Sequence, residues 1–292
     1  MKKYLVKKCG EDFKFLDGNY NIKGSRIKKV VIDSDGNKAF FKYEDNKYNS
    51  SESCSEKMSY EIAKILGYEC ARIELARDNE GNLGILNYLF IDNGNVEHID
   101  ASAFLNIHGN QRREFYTISN IKRILDTLNK NLFKDFIKIL FFDALVGEQD
   151  RHEENWGLLK NGFDYYMSPL YDNGCNLLRE FKDEEFANKY YSNKKDFNAY
   201  IERSKAIIYN EDNGKNYKHF ELIEHLNKYY PNEIENEIVN LKKLTDEKIE
   251  DIVNSIPDGL LTDMHKKYII IYLKKRRDRL LSINQSRWWY EK

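Results

Sequence analysis

The residues best suited to chemistry fall in one short stretch, Gly147-Glu148-Gln149-Asp150-Arg151-His152-Glu153-Glu154-Asn155-Trp156-Gly157. Asp150 and Asn155 have the D-x-x-x-x-N spacing of a phosphoryl-transfer loop, in which the carboxylate orients a hydroxyl proton and the amide binds a metal ion. Spacing alone is weak, because Asp and Asn also cap helices and turns. A second acidic element strengthens it: Ser168-Pro169-Leu170-Tyr171-Asp172-Asn173-Gly174 follows directly after a short hairpin pattern. Asp172-x-Gly174 has the form of a metal-binding D-x-G loop, where Asp172 would hold magnesium against the phosphates of ATP. Two such loops, in this order and with a hairpin between them, favour phosphotransfer over capping.

These loops need elements to position them. The segment 132–146 is apolar almost all the way round, as a fully buried helix would be, and it delivers the chain to residue 147. Residues 156–159 and 165–167 flank the turn 160–164 as a hairpin. Upstream, 30–32 and 39–43 form a hairpin around 33–37, and 71–76 and 83–91 form another around 78–82. Between them Met58, Ile62, Ile65 and Leu66 make a helical stripe that Gly67 ends. From about residue 120 the pattern is helical, and after the hairpin it reads as helix after helix. The class expected is α+β, with a small β-rich lobe over 1–92, a larger helical lobe over 93–292, and a ligand cleft at their junction near residues 90–97.

Composition narrows the function classes. The chain has 292 residues, and 47 Lys and Arg nearly balance 48 Asp and Glu, so its overall field gives no reason to expect nucleic acid or membrane. Cys9, Cys54, Cys70 and Cys175 are widely separated, which argues against a zinc site or a disulfide framework and for reduced thiols. The basic N-terminus lacks a signal-peptide apolar stretch and no segment approaches membrane-spanning length, so cytoplasmic localisation is expected. The basic run 274–279 reads as a solvated helix face rather than a nucleic-acid contact.

Asp150-Arg151-His152-x-x-Asn155 followed by Ser168-Pro169-x-Tyr171-Asp172 resembles the C-terminal kinase domain of the HipA-like family, over roughly residues 20–180. The likeness is to its short, single-chain members. It implies a bilobal protein-kinase-like fold, ATP and Mg2+ as cofactors, and transfer of the γ-phosphoryl group to a protein serine or threonine. It also implies partners: a protein substrate, with an aminoacyl-tRNA synthetase as the family precedent, and a small DNA-binding antitoxin in a toxin–antitoxin pair. One departure is Glu148, where the family carries Asn.

Carried to the first lobe, the resemblance makes Gly24, Ser25 and Arg26 a phosphate-covering loop, with Ser25 a candidate autophosphorylation site. Lys42, on a strand with alternating apolar neighbours, becomes the lysine that grips phosphates. Glu56, eleven residues before Gly67, becomes its helix partner, with Glu61 as the alternative. Ser53-x-x-Glu56 also has the form of a capping box. His152 is expected to support the backbone near Asp172; the other histidines are expected to be structural. Two rival readings stand beside this one. One is a lipid or small-molecule kinase, whose members share the D-R-H-x-x-N loop; the other is a catalytically silent binding module on the same fold.

Overall fold

A computed structural model describes residues 2–16, 27–45, 51–91, 94–107, 115–181, 189 and 194–283. The expected loop at Gly24, Ser25 and Arg26, and the tail from residue 286, lie outside them.

The first part of the chain builds a six-stranded sheet from β1 (Val6–Lys8), β2 (Phe13–Phe15), β3 (Lys28–Asp33), β4 (Lys38–Tyr43), β5 (Ile73–Arg77) and β6 (Leu83–Tyr88), in the order β1-β5-β6-β4-β3-β2. Of its pairings β1–β5 is parallel and the other four are antiparallel. Both hairpins close as their turn residues dictate. Asp33 accepts N–H bonds from Asp35 and Asn37 at 3.0 and 2.8 Å, and Asp78 does the same for Glu80 and Asn82 at 2.9 Å each. The period of two along β4 sends Ala39 and Phe41 into a small core with Phe13, Val31 and Leu86, while Phe40 and Lys42 face the interlobe cavity.

Helix α1 (Ser51–Leu66) packs Met58, Ile62 and Leu66 into the main core beside Ile73, Leu75 and Ile85. Its N-terminal N–H groups are met from outside the helix: Glu44, just past β4, accepts from Glu52 at 3.3 Å and Ser53 at 2.7 Å. The capping box expected of Ser53 and Glu56 does not form, because the helix begins before both. The Glu44 carboxylate, from the chain just after β4, does that work.

The second part contains β7 (Val96–Asp100), α2 (Ala101–Leu105), α3 (Ile118–Leu128), α4 (Leu132–Val146), β8 (Gly157–Asn161), β9 (Asp164–Met167) and α5 (Lys194–Arg203). Then follow β10 (Lys205–Tyr209), β11 (Asn216–Lys218), α6 (His219–Tyr229), α7 (Pro231–Leu241), α8 (Asp246–Asn254) and α9 (Asp263–Leu281). Helix α4 is the buried spine: Phe136, Ile137, Phe141, Phe142 and Leu145 have no exposed surface. It stops at Gly147, whose φ of 76° is left-handed and whose missing Cβ leaves room for the Tyr272 hydroxyl.

Three features depart from the sequence reading. The hairpin β8–β9 gains a third strand, β7, which pairs antiparallel with β8. The C-terminal helices are interrupted by the antiparallel pair β10–β11. The basic run on α9 is not a solvated face either. Arg276 is fully buried, bonding the carbonyls of Ala144 at 2.8 Å and Ile201 at 3.2 Å, while Lys274 and Arg277 pair with Asp246 on α8. All four cysteines are free. Among the described residues no helix is long and apolar enough to cross a membrane.

Candidate active site

A cavity of about 750 Å³ opens between the six-stranded sheet and the helical part. Its walls bring together Lys42 from β4, Glu52 from α1, Asp150 and Asn155 from the loop after α4, and Asp172 and Gly174 from the loop after β9. Aromatic residues close the far end, where Phe90 stacks on Tyr171 at 6.0 Å and His98 meets both rings edge-on.

Lys42 is the electrostatic centre. Its ammonium lies 2.8 Å from Glu56, 2.6 Å from Asp172 and 3.4 Å from Glu52. Burial works against the charge, but these three carboxylates hold its pKa well above the ordinary lysine value. Burial likewise opposes ionisation of Asp172, yet the Lys42 contact outweighs it and draws that carboxyl down to about 2. Glu56 goes the other way: burial pushes it above the usual range, and among the described residues its Oε2 has no hydrogen-bond partner. The alternative partner, Glu61, is elsewhere, paired with Lys57 at 2.9 Å and Lys64 at 3.2 Å. Glu52 was missed in the sequence, although it lies one helical turn before Glu56 and therefore on the same face.

Close approach of α1 to the Asp172 loop depends on small residues. A Cβ at Gly174 would sit 3.0 Å from Glu52 Cγ and 3.3 Å from Glu56 Cγ. Ser55 donates to the Asn176 carbonyl at 3.2 Å, and Asn176 donates to Ser59 at 3.1 Å. Asp172 itself takes a left-handed backbone, φ 53°, which costs an L-residue roughly 1–2 kcal/mol and here accompanies the turn of its carboxylate towards Lys42.

The two loops are clasped by a residue to which the sequence reading gave no role. Arg151 is buried and bonds Asp143 of α4 through Nε and Nη2, the nearest contact being 3.0 Å. Its Nη1 donates to the carbonyls of Asn155 and Tyr171, each at 2.8 Å, and its Nη2 to Asn173 Oδ1. The guanidinium fork thus fixes residues 155, 171 and 173 relative to one helix. Support near Asp172 had been expected from His152. Instead its Nδ1 accepts the N–H of Glu154 at 3.2 Å, because its short reach keeps it within its own loop. A different histidine underpins the loop: His219, buried and neutral, donates through Nε2 to the Glu148 carbonyl at 2.7 Å, while its Nδ1 faces the Ser204 hydroxyl and Arg276.

Asn155 spends its Nδ2 on the Asp150 carbonyl at 2.7 Å, so its side-chain oxygen is the atom available to a ligand. That oxygen and the Asp172 carboxylate are hard donors, a set suited to magnesium, which binds through one or two protein oxygens plus phosphate and water. Among the described residues no group of three or more His, Cys, Asp or Glu could hold a metal by itself, so an ion here would share its shell with a ligand.

With that geometry, residues 20–256 match the HipA-like C-terminal domain family. The chain belongs to that family. Among its relatives is the serine/threonine-protein kinase CtkA of Helicobacter pylori, 26% identical over 183 residues, a match spanning 59% of this chain and 51% of that protein. The chain thus aligns with about half the length of that curated relative. The crystal structure of the H. pylori proinflammatory kinase CtkA superposes with a TM-score of 0.80 at 18% identity, covering 97% of this chain and 98% of that one. HipA of Shewanella oneidensis, solved with HipB and operator DNA, gives 0.58 at 12% identity over 92% of this chain and 65% of its own. These likenesses establish the family's α+β fold.

Proposed function

We propose that this HipA-like protein is an ATP- and magnesium-dependent kinase that transfers the γ-phosphoryl group to a serine or threonine hydroxyl of a protein. The observation that carries this reading is the meeting of Lys42 and Asp172, with Glu56 buried behind Lys42, on the wall of the cavity that Asp150 and Asn155 also line. Catalysis of this kind is mostly positioning and charge neutralisation. Asp150 orients the acceptor hydroxyl, Lys42 grips phosphate oxygens and Glu56 holds Lys42 in place. Asn155 and Asp172 would hold magnesium, which, when bound, neutralises charge on the phosphates. The apolar end, with Phe40, Leu89 and Phe90, suits a purine, and the cavity volume lies within the range of nucleotide-sized sites.

The acceptor is proposed to be a protein because the relative named above is a serine/threonine-protein kinase. Membership of the HipA-like family, and the HipA–HipB–operator assembly of the Shewanella protein, support a toxin role with a small DNA-binding partner. The test is phosphotransfer from labelled ATP into a cell lysate with and without magnesium, followed by phosphoproteomics of wild type against Asp150→Asn. Loss of transfer in both Asp150→Asn and Asp172→Ala, with the fold intact, is expected. Retained transfer in both variants would refute the assignment.

A further inference from the structure

Glu148 sits between the two loops and is fully buried, yet no step above uses it. Its Oε1 accepts the N–H of Asp150 at 2.9 Å. Its Oε2 accepts the N–H of Cys175 at 3.2 Å and the Asn176 Nδ2 at 3.1 Å. Its own carbonyl is held by His219, and next to it Gln149 N–H reaches the Cys175 carbonyl at 3.1 Å.

We propose that Glu148 is a positioning residue whose carboxylate locks the Asp150 loop to the Asp172 loop, fixing the reacting hydroxyl's partner relative to the bound phosphates. The proposal rests on the phosphotransfer reading. Its physical basis is a count of donors. Three N–H groups from two loops, more than twenty residues apart in sequence, converge on two oxygens, and only an ionised carboxylate accepts all three without offering a donor in return. In this chain's geometry a glutamine in place of Glu148 would turn an NH2 towards N–H groups, and an alanine would leave them without partners in a dry site, so either loop would then be free to shift; the shorter Asn that the family carries here cannot reach the same three donors and implies a different local arrangement. Phosphotransfer is sensitive to such shifts, since a misplacement of about 1 Å can cost on the order of a hundredfold in rate.

Titration sharpens the case. The groups acting on this carboxyl are the Arg151 guanidinium, the carboxylates of Asp143 and Asp172, and the N–H of Asp150; the Cys175 thiol and the His219 ring are neutral neighbours. Burial dominates and pushes the Glu148 carboxyl up to about 8, against the pull of Arg151. The locking, ionised form is therefore complete above that value and is lost as the pH falls below it.

The experiment uses the full chain with magnesium and ATP, comparing wild type, Glu148→Gln, Glu148→Ala and Asp150→Asn. Turnover at saturating ATP should rise in wild type between about pH 6 and about pH 9. Glu148→Gln should flatten that rise and lower kcat by roughly tenfold, with KM for ATP changed by no more than about twofold. Hydrogen exchange should accelerate in peptides spanning 148–152 and 173–177 together and not elsewhere. A wild-type pH profile and kcat in Glu148→Gln, or exchange that rises in one loop alone or throughout the chain, would overturn the proposal. If Glu148→Ala does not fold, Glu148→Gln decides. Undiminished transfer in Asp150→Asn, together with the same result for Asp172→Ala, would instead sink the phosphotransfer reading, and the exchange measurement would still judge the lock.

Discussion

Two buried cations face the same pair of loops, and they are solvated in opposite ways. Around Arg151 the charges close on themselves: one carboxylate, two backbone carbonyls and one amide oxygen consume the guanidinium fork. Around Lys42 they do not, because Glu52, Glu56 and Asp172 all approach a single ammonium, one Glu56 oxygen has no partner among the described residues, and the cluster borders the cavity. The difference separates architecture from function. A closed network of buried charge holds geometry and has nothing left to offer a ligand, whereas a cluster with surplus negative charge beside a cavity is where the proposed divalent cation would sit.

The contrast breaks most visibly at Arg151. Arg151→Met strands Asp143 as an uncompensated buried carboxylate and should lower unfolding stability by about 3–5 kcal/mol in urea denaturation. Arg151→Lys should recover only part of this, since an ammonium cannot span the same partners. Asp172→Ala should weigh on activity instead, costing at least about a hundredfold in phosphotransfer while lowering the melting temperature less than Arg151→Met does, because Glu52 and Glu56 remain as counter-ions to Lys42. A large fall in melting temperature for Asp172→Ala would erase the distinction.

Lys42→Met tests the sign of the electrostatics. In wild type the ammonium holds the Asp172 carboxyl at about 2, so the ionised pair stabilises the fold above the ordinary carboxylate range, a contribution lost as the pH falls through about 2. Without Lys42 the carboxyls of Glu56 and Asp172 lose their counter-ion and their pKa values rise, so stability should increase on acidification from about pH 7 to about pH 5. Thermal melts across that range, together with a roughly tenfold or greater loss of ATP affinity, check this. The smallest effect belongs to Phe163, 98% exposed at the tip of the β8–β9 hairpin, where Phe163→Ser should change stability by no more than about 0.5 kcal/mol.

Local order left clear marks in the sequence. Asp33 and Asp78 announced their turns because an Asp side chain reaches N–H groups two to four residues on. The apolar run 132–146 announced a buried helix, and the spacing of Asp150, Asn155 and Asp172 singled out residues that line one cavity. Strand β7 left no such mark: Val-Glu-His-Ile-Asp is half polar and is a strand because β8, some sixty residues on, supplies its partner. The Glu44 cap, the Arg151 clasp and the Glu148 bridge are equally illegible, since each depends on which side chains the folded chain brings within about 3 Å of one another.

Sequence alone therefore determined the chemical inventory: two acidic loops, a strand lysine, helix glutamates, and the buried helix that carries the chain to them. Tertiary structure alone decided which glutamates face Lys42, which residue clasps the loops, and where Arg276 spends its charge. The physical reason is range. Turn formation and helical periodicity act over a few residues and are written in spacing, whereas burial and charge pairing act through space and appear only once the chain has closed around them.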